Sequence, residues 1–171
     1  KERTVMIRPI TPHDIETVLA INNDAVPAVN SLTANELTDI INISEKAWVV
    51  DEGDKIVGVL IVIGPEESYG SANYTWLASQ FTNFCYVDRI IIASSGKRKG
   101  YGKALYLALE EHATSIGKEV LLCEVNVEPE NPQSMAFHAS LGWVPFQDRE
   151  HAPSKVVRYF KKLIKPDVEI T

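Results

Sequence analysis

The segment Ile90-Ile-Ile-Ala-Ser-Ser-Gly-Lys-Arg-Lys-Gly-Tyr-Gly-Lys-Ala-Leu105 constrains this chain more than any other. Its first residues are apolar and β-branched, which suits a buried strand. A Ser-Ser-Gly break follows, and from Tyr101 the apolar residues recur at helical spacing. The unit is therefore a strand, a glycine-rich turn and a helix N-terminus. A helix start leaves its first N–H groups without partners and carries partial positive charge. Gly100 and Gly102 let backbone approach a ligand without a Cβ in the way. Lys97, Arg98, Lys99 and Lys103 add charge-assisted contacts. Together these features make an anion cradle.

The net charge of −6 decides what kind of anion. General nucleic-acid binding leans on a broad basic surface, which this chain lacks, so no nucleic-acid partner is expected. A local patch still acts, because screening over about 10 Å isolates it from the global balance. A compact polyanion fits. Two phosphate motifs fail against the segment. A P-loop needs a hydroxyl residue after Gly-Lys, but Ala104 follows Gly102-Lys103 and Lys97 stands at the earlier glycine position. A dinucleotide fingerprint needs a third glycine where Leu105 stands.

The 171 residues, 45% hydrophobic, suffice for one domain with one substantial core. The chain shows no repeat or linker. A short strand at 4–8 leads into a helix over about 13–22. A second helix is expected over 33–43, with Thr33 as N-cap and Glu36 completing a capping box. Strands at 47–51 and 55–63, separated by Glu52-Gly53-Asp54, form an antiparallel hairpin. Residues 64–83 read as a long loop carrying Glu66, Glu67, Tyr69, Tyr74, Trp76 and Phe81. A strand at 84–93 precedes a helix over 101–115 that ends at Gly117, with Leu105, Ala108, Leu109, His112 and Ile116 as its buried stripe. A central strand follows at 119–127. A helix over 132–140 has Asn131 as N-cap, Pro132 at its first position and Gly142 beyond its end. Strands at 143–146 and 155–160 close the chain. Cys85 and Cys123 lie in apolar runs without disulfide or zinc spacing and read as reduced core thiols, so no metal is expected. With no long apolar span and no basic-then-apolar leader, the chain is expected in the cytoplasm and off membranes.

The turn Lys97-Arg98-Lys99-Gly100-Tyr101-Gly102 resembles the acyl-coenzyme A pyrophosphate loop of the GNAT superfamily of N-acetyltransferases, with Lys97 where Gln or Arg is usual. A second resemblance lies at the expected spacing: Asn131-Pro-Gln-Ser134-Met-Ala-Phe137-His138-Ala-Ser-Leu141-Gly142-Trp143 is similar to that family's Asn, small residue, aromatic, Tyr, Gly-Phe helix. The resemblance implies an α/β fold with a mixed, mostly antiparallel twisted sheet of about six or seven strands flanked by about four helices. It also implies acetyl-CoA as acyl donor, with pyrophosphate on the amides from Arg98 to Lys103 and pantetheine along Ile90, Ile91 and Ile92. Asn131, Ser134, Phe137 and His138 would border the donor. His138 stands where many relatives have a tyrosine that protonates the departing thiolate, and Ser134 lies one turn earlier on the same helical face. A homodimer is a family-based expectation.

Acetyl transfer to an alkyl amine needs the neutral amine. At a pKa of about 10.4, only about one molecule in a thousand is neutral near pH 7, a cost of roughly 4 kcal/mol. A carboxylate that takes the proton offsets this. Asp88 is one candidate, on the strand entering the anion turn; strict alternation puts Tyr86, Asp88, Ile90 and Ile92 on one face and Arg89 on the other. A cation from another strand would instead make Asp88 a buried structural ion pair. Glu124, a charge in mid-strand, is its rival. The acceptor, expected to be a small-molecule amine or amino acid, would meet Asn22, Asn23 and Asp24 after the first helix, with Tyr74, Trp76 and Tyr86. The alternatives are a non-catalytic acyl-CoA-binding or sensing domain and an unrelated nucleotide-binding α/β protein.

Overall fold

The computed structural model describes residues 4–164. In chain order the elements are β1 (Met6–Pro9), α1 (Ile15–Asp24), α2 (Ala34–Ile43), β2 (Lys46–Asp51), β3 (Ile56–Ile63), α3 (Ala72–Gln80), β4 (Phe84–Ile92), α4 (Tyr101–Ser115), β5 (Val120–Glu128), α5 (Pro132–Ser140), β6 (Val144–Ala152) and β7 (Lys155–Leu163). The strands form one seven-stranded sheet in the order β1-β2-β3-β4-β5-β7-β6. Every pairing is antiparallel except β4 with β5. The α/β architecture expected from the sequence is the one observed, with five α-helices among the described residues.

Local chemistry explains most boundaries. Thr33 accepts from the Glu36 amide and the Glu36 side chain accepts from the Thr33 amide, the reciprocal box that starts α2. Gly53 turns the β2–β3 hairpin at φ +95 and Gly117 ends α4 at φ +73, both in the left-handed region. The Asn131 side chain accepts from the Ser134 amide and starts α5.

Two cores lie on opposite faces of the sheet. Val18 of α1, Leu37 and Ile40 of α2, and Tyr74 and Leu77 of α3 pack on Ile61, Ile63, Tyr86, Leu122 and Tyr159. Leu105, Tyr106, Leu109 and Ala113 of α4 cover Leu60, Val62, Val87, Leu121 and Cys123 on the other face, with Phe137 of α5 beside them. Cys85 and Cys123 are free and buried.

Three expectations need correction. The stretch 64–83 is not one loop: Ser71 caps α3 by accepting from the Tyr74 amide. The buried stripe of α4 runs through Leu105, Tyr106, Leu109 and Ala113, while Ile116, past the last helical turn, is 44% exposed. Ala108 and His112 are only half-buried, and His112 meets Glu45 at 3.0 Å. The closing strands are also longer, β6 and β7 pairing as far as Ala152–Lys155.

Candidate active site

The anion turn is docked on the β2–β3 hairpin. The Ala93 amide donates to Val57 O at 2.8 Å, and a Cβ on buried Gly96 would lie 2.8 Å from Val57 Cβ. Glu52, from the hairpin turn, accepts from Lys99 Nζ at 2.9 Å and from the Tyr101 hydroxyl at 2.5 Å. Gly100 is left-handed at φ +79 with open space where a Cβ would be, and opens the 15-residue helix α4. Gly102 is different: its missing Cβ makes room for Phe137 of α5, whose ring tip would be 2.8 Å away. Close ligand approach is thus a property of Gly100, and close helix packing of Gly102. Lys97, Arg98 and Lys103 are exposed around the helix start. This open, cationic, amide-lined turn suits a pyrophosphate.

Beside the turn the sheet splits. The β4–β5 ladder consists of Phe84–Val120, Cys85–Leu121 and Tyr86–Leu122 and goes no further. β4 continues on its other edge with β3 to Ile92–Gly58, and β5 continues with β7 to Glu128–Val156. The edge of β4 through Ile90, Ile91 and Ile92 therefore faces a wedge-shaped opening, with backbone groups available to a ligand's amides.

A bulge at Asp88 corrects the expected alternation. Ile61 pairs with Arg89 and Val62 with Val87, so Asp88 has no counterpart on β3. This extra residue brings Arg89 onto the face of Tyr86 and sends Ile90 and Ile92 to the α4 side. Asp88 and Arg89 become partners: Arg89 Nε donates to Asp88 Oδ2 at 2.7 Å, with both side chains 4% exposed. Tyr69 donates to the other Asp88 oxygen at 2.6 Å. The remaining guanidinium nitrogens donate to Asn22 Oδ1 at 2.7 Å and Asn30 Oδ1 at 3.0 Å. Asp88 is thus in a buried ion pair, its cation being its own neighbour. Asn126 of β5 also donates to Pro27 O at 2.8 Å, so the connection between α1 and α2 is tied down from both sides of the opening.

Glu124 stands on β5 just beyond the last β4–β5 pair. The Tyr86 hydroxyl donates to its Oε1 at 2.5 Å. Burial pushes the Glu124 carboxyl up to about 8; the Tyr86 hydrogen bond opposes the rise, the Asp88 charge adds to it and Asn73 opposes it. Asn73 of α3 accepts at Oδ1 from the Tyr159 hydroxyl at 2.8 Å and meets His151 Nε2 at 2.7 Å. Asn73, Tyr69 and Tyr159 carry no motif that marks them in the sequence; a Ser71 cap with Tyr74 and Leu77 one turn apart is the signal that α3 exists.

His138 is 2% exposed. Its Nδ1 lies 2.8 Å from Ser134 O and 3.3 Å from Ser134 Oγ, and its Nε2 lies 2.7 Å from the Tyr106 hydroxyl. The ring is enclosed by Phe137, Trp143 and Phe160. Burial lowers its pKa, which favours the neutral ring. Both ring nitrogens are engaged by protein groups. Among the acceptor candidates, Asn22 is buried against Arg89, and Asn23 exchanges hydrogen bonds with the Leu32 backbone. Asp24 is exposed at the end of α1. Tyr74 is 3% exposed and donates to Gly64 O, and Tyr86 is 1% exposed. Trp76 stacks on Tyr159 at 4.8 Å with Arg149 over its ring.

A sequence profile described as "Acetyltransferase (GNAT) family" matches residues 17–143. The chain belongs to this family. Its acyl donor is acetyl-CoA. Among solved structures, Ard1 from Thermoplasma volcanium superposes with a TM-score of 0.75 at 18% identity, covering 94% of this chain and 98% of that one. The ribosomal-protein-S18-alanine N-acetyltransferase from Escherichia coli gives 0.71 at 15%, covering 98% and 99%. YncA of Salmonella typhimurium, solved with its cofactor acetyl-CoA, gives 0.68 at 17%, covering 94% of each chain. No curated protein sequence matches this GNAT chain. Among its described residues no helix is long and apolar enough to cross a membrane.

Proposed function

We propose that this GNAT protein moves the acetyl group of acetyl-CoA to the primary amine of a small molecule or amino acid, by direct attack in a ternary complex, with Glu124 as the base. The observation that carries the reading is a carboxylate at the mouth of the β4–β5 opening whose proton affinity is raised toward neutrality. Such a group is a stronger base than an ordinary glutamate yet still ionises near physiological pH.

The turn from Lys97 to Lys103 binds the donor's pyrophosphate, and the edge at Ile90 to Ile92 orients its pantetheine. The amine nitrogen attacks the thioester carbonyl carbon, its surplus proton passes to Glu124 directly or through one water, and the developing oxyanion meets the amide N–H near Ile91 or Ile92. Collapse breaks the carbon–sulfur bond, and the thiolate takes a proton to leave as CoA thiol. Asp88, committed to Arg89, holds the bulge that aims this backbone. Ser134 and His138 support α5 from within, which makes His138 a packing element more than an acid.

The test is thiol release from acetyl-CoA across a panel of amines, amino acids and peptide N-termini. Amine-dependent release is expected, with kcat reduced by about 10²–10⁴ in Glu124→Gln and donor binding retained. Full activity in Glu124→Gln removes Glu124 from the role, and CoA binding without transfer to any acceptor favours a sensing domain.

A further inference from the structure

We propose that Tyr86 and Asn73 are positioning residues for Glu124, together fixing its carboxylate at the sheet opening and keeping it able to accept a proton. The proposal rests on the reading of Glu124 as the base.

A carboxylate taken out of water favours its neutral form unless donors replace the lost solvation. Glu124 is half-buried at the opening between β4 and β5, and its observed hydrogen-bond donor there, Tyr86, is neutral. The groups that interact with Glu124 are Tyr86 and Asp88 from β4, Asn73 from α3 and Tyr159 from β7, and, through the sheet from its α4 face, Tyr106 and Cys123. Among them Asp88 is the charged group; it is held by Arg89 and disfavours a second negative charge nearby. Burial keeps Tyr86, Tyr106 and Cys123 protonated. The ionised form of Glu124 therefore depends on neutral donors.

Two are in place. The Tyr86 hydroxyl donates at 2.5 Å to Oε1, from the last residue of β4 that pairs with β5. The Asn73 amide is oriented by its other end: its oxygen is occupied by Tyr159 of β7 and His151 of β6. That leaves its NH₂ group for Glu124, whose ionised form it favours. Because α3 is held by β6 and β7 through this same amide, a change in the β6–β7 hairpin reaches the base through Asn73.

The experiment is a ¹³C-carboxyl NMR titration of the intact protein, with Glu124 assigned from the signal missing in Glu124→Gln. It is paired with pH profiles of kcat/KM for acetyl-CoA and the most active amine of the panel. Tyr86→Phe and Asn73→Ala are each expected to move the Glu124 midpoint upward by about 0.5–1 pH unit, and the acid limb of kcat/KM by the same amount. Acetyl-CoA affinity should stay within about threefold of wild type, a margin of under 1 kcal/mol. Asn73→Asp, which adds a like charge, should move the midpoint further in the same direction. A folded Tyr86→Phe and a folded Asn73→Ala with unmoved Glu124 midpoints overturn the proposal even if Glu124→Gln is inactive. Full activity in Glu124→Gln overturns instead the reading of the base, and the positioning role with it.

Discussion

Asp88 and Glu124 flank the same opening, and their immediate neighbours give them opposite characters. Asp88 receives Arg89 and Tyr69 and is 4% exposed with its cation, so its charge is neutralised on the spot. Glu124 receives neutral donors and a raised proton affinity. Removing the first carboxylate strands a buried guanidinium, and breaking a buried pair in this way costs about 3–5 kcal/mol. Asp88→Asn should therefore lower urea-unfolding stability by about that amount, whereas Glu124→Gln at pH 5, where Glu124 is protonated in the fold and the unfolded chain is only just past its ordinary 4.5, should change stability by under about 1 kcal/mol. Loss of stability in Asp88→Asn below about 1 kcal/mol would show that Asn22 and Asn30 alone satisfy Arg89. The sequence presented these two acids as equals. Their difference depends on the bulge at Asp88, which exists only in the register of β4 against β3, and no local residue pattern encodes that register.

At the scale of elements, the anion turn is held by fit to a hairpin rather than by its own hydrogen bonds alone. Gly96 has no room for a Cβ against Val57, a β-branched neighbour with little freedom to move. Gly96→Ala should destabilise the protein by about 1–3 kcal/mol and raise KM for acetyl-CoA, because the displaced turn carries the phosphate donors with it. Thermal unfolding and donor kinetics check both effects, and an unchanged KM would separate the turn's position from the hairpin. Elements whose ends are written in local chemistry were legible: Thr33 with Glu36, Glu52-Gly53-Asp54, Asn131-Pro132 and Gly117 all mark boundaries found in the structure. The helix α3 was not, because only Tyr74 and Leu77 of its nine residues are buried, too few for a periodic stripe to stand out. That omission hid Asn73 and the support it gives Glu124. The cradle of Lys97 to Lys103 was legible as a binding element, but the separate duties of Gly100 and Gly102 emerge only when α5 is packed against α4.

For the whole molecule, the opening divides the sheet into β1–β4 and β5–β7–β6, joined by the three β4–β5 pairs, by side-chain hydrogen bonds such as Tyr86 to Glu124 and Asn126 to Pro27 O, and through helices. Placing Glu124 at that junction couples the chemistry to global stability. Its folded-state pKa, about 8, stands above the ordinary 4.5. Between those values the native state binds more protons than the unfolded chain, so the contribution of Glu124 to stability declines as pH rises through that window. The sign is opposite to that of Asp14, whose carboxyl Arg8 and Thr11 hold well below the usual range and whose contribution is lost on acidification instead. Glu124→Gln cannot ionise, so it should exceed wild type in stability at pH 8.5 by about 2–4 kcal/mol and match it near pH 5. Urea unfolding of both proteins at the two pH values measures this directly, with no acceptor required. A stability gap that is the same at both values would mean that Glu124 ionises freely in the fold, and a freely ionising glutamate has no unusual basicity to bring to acetyl transfer.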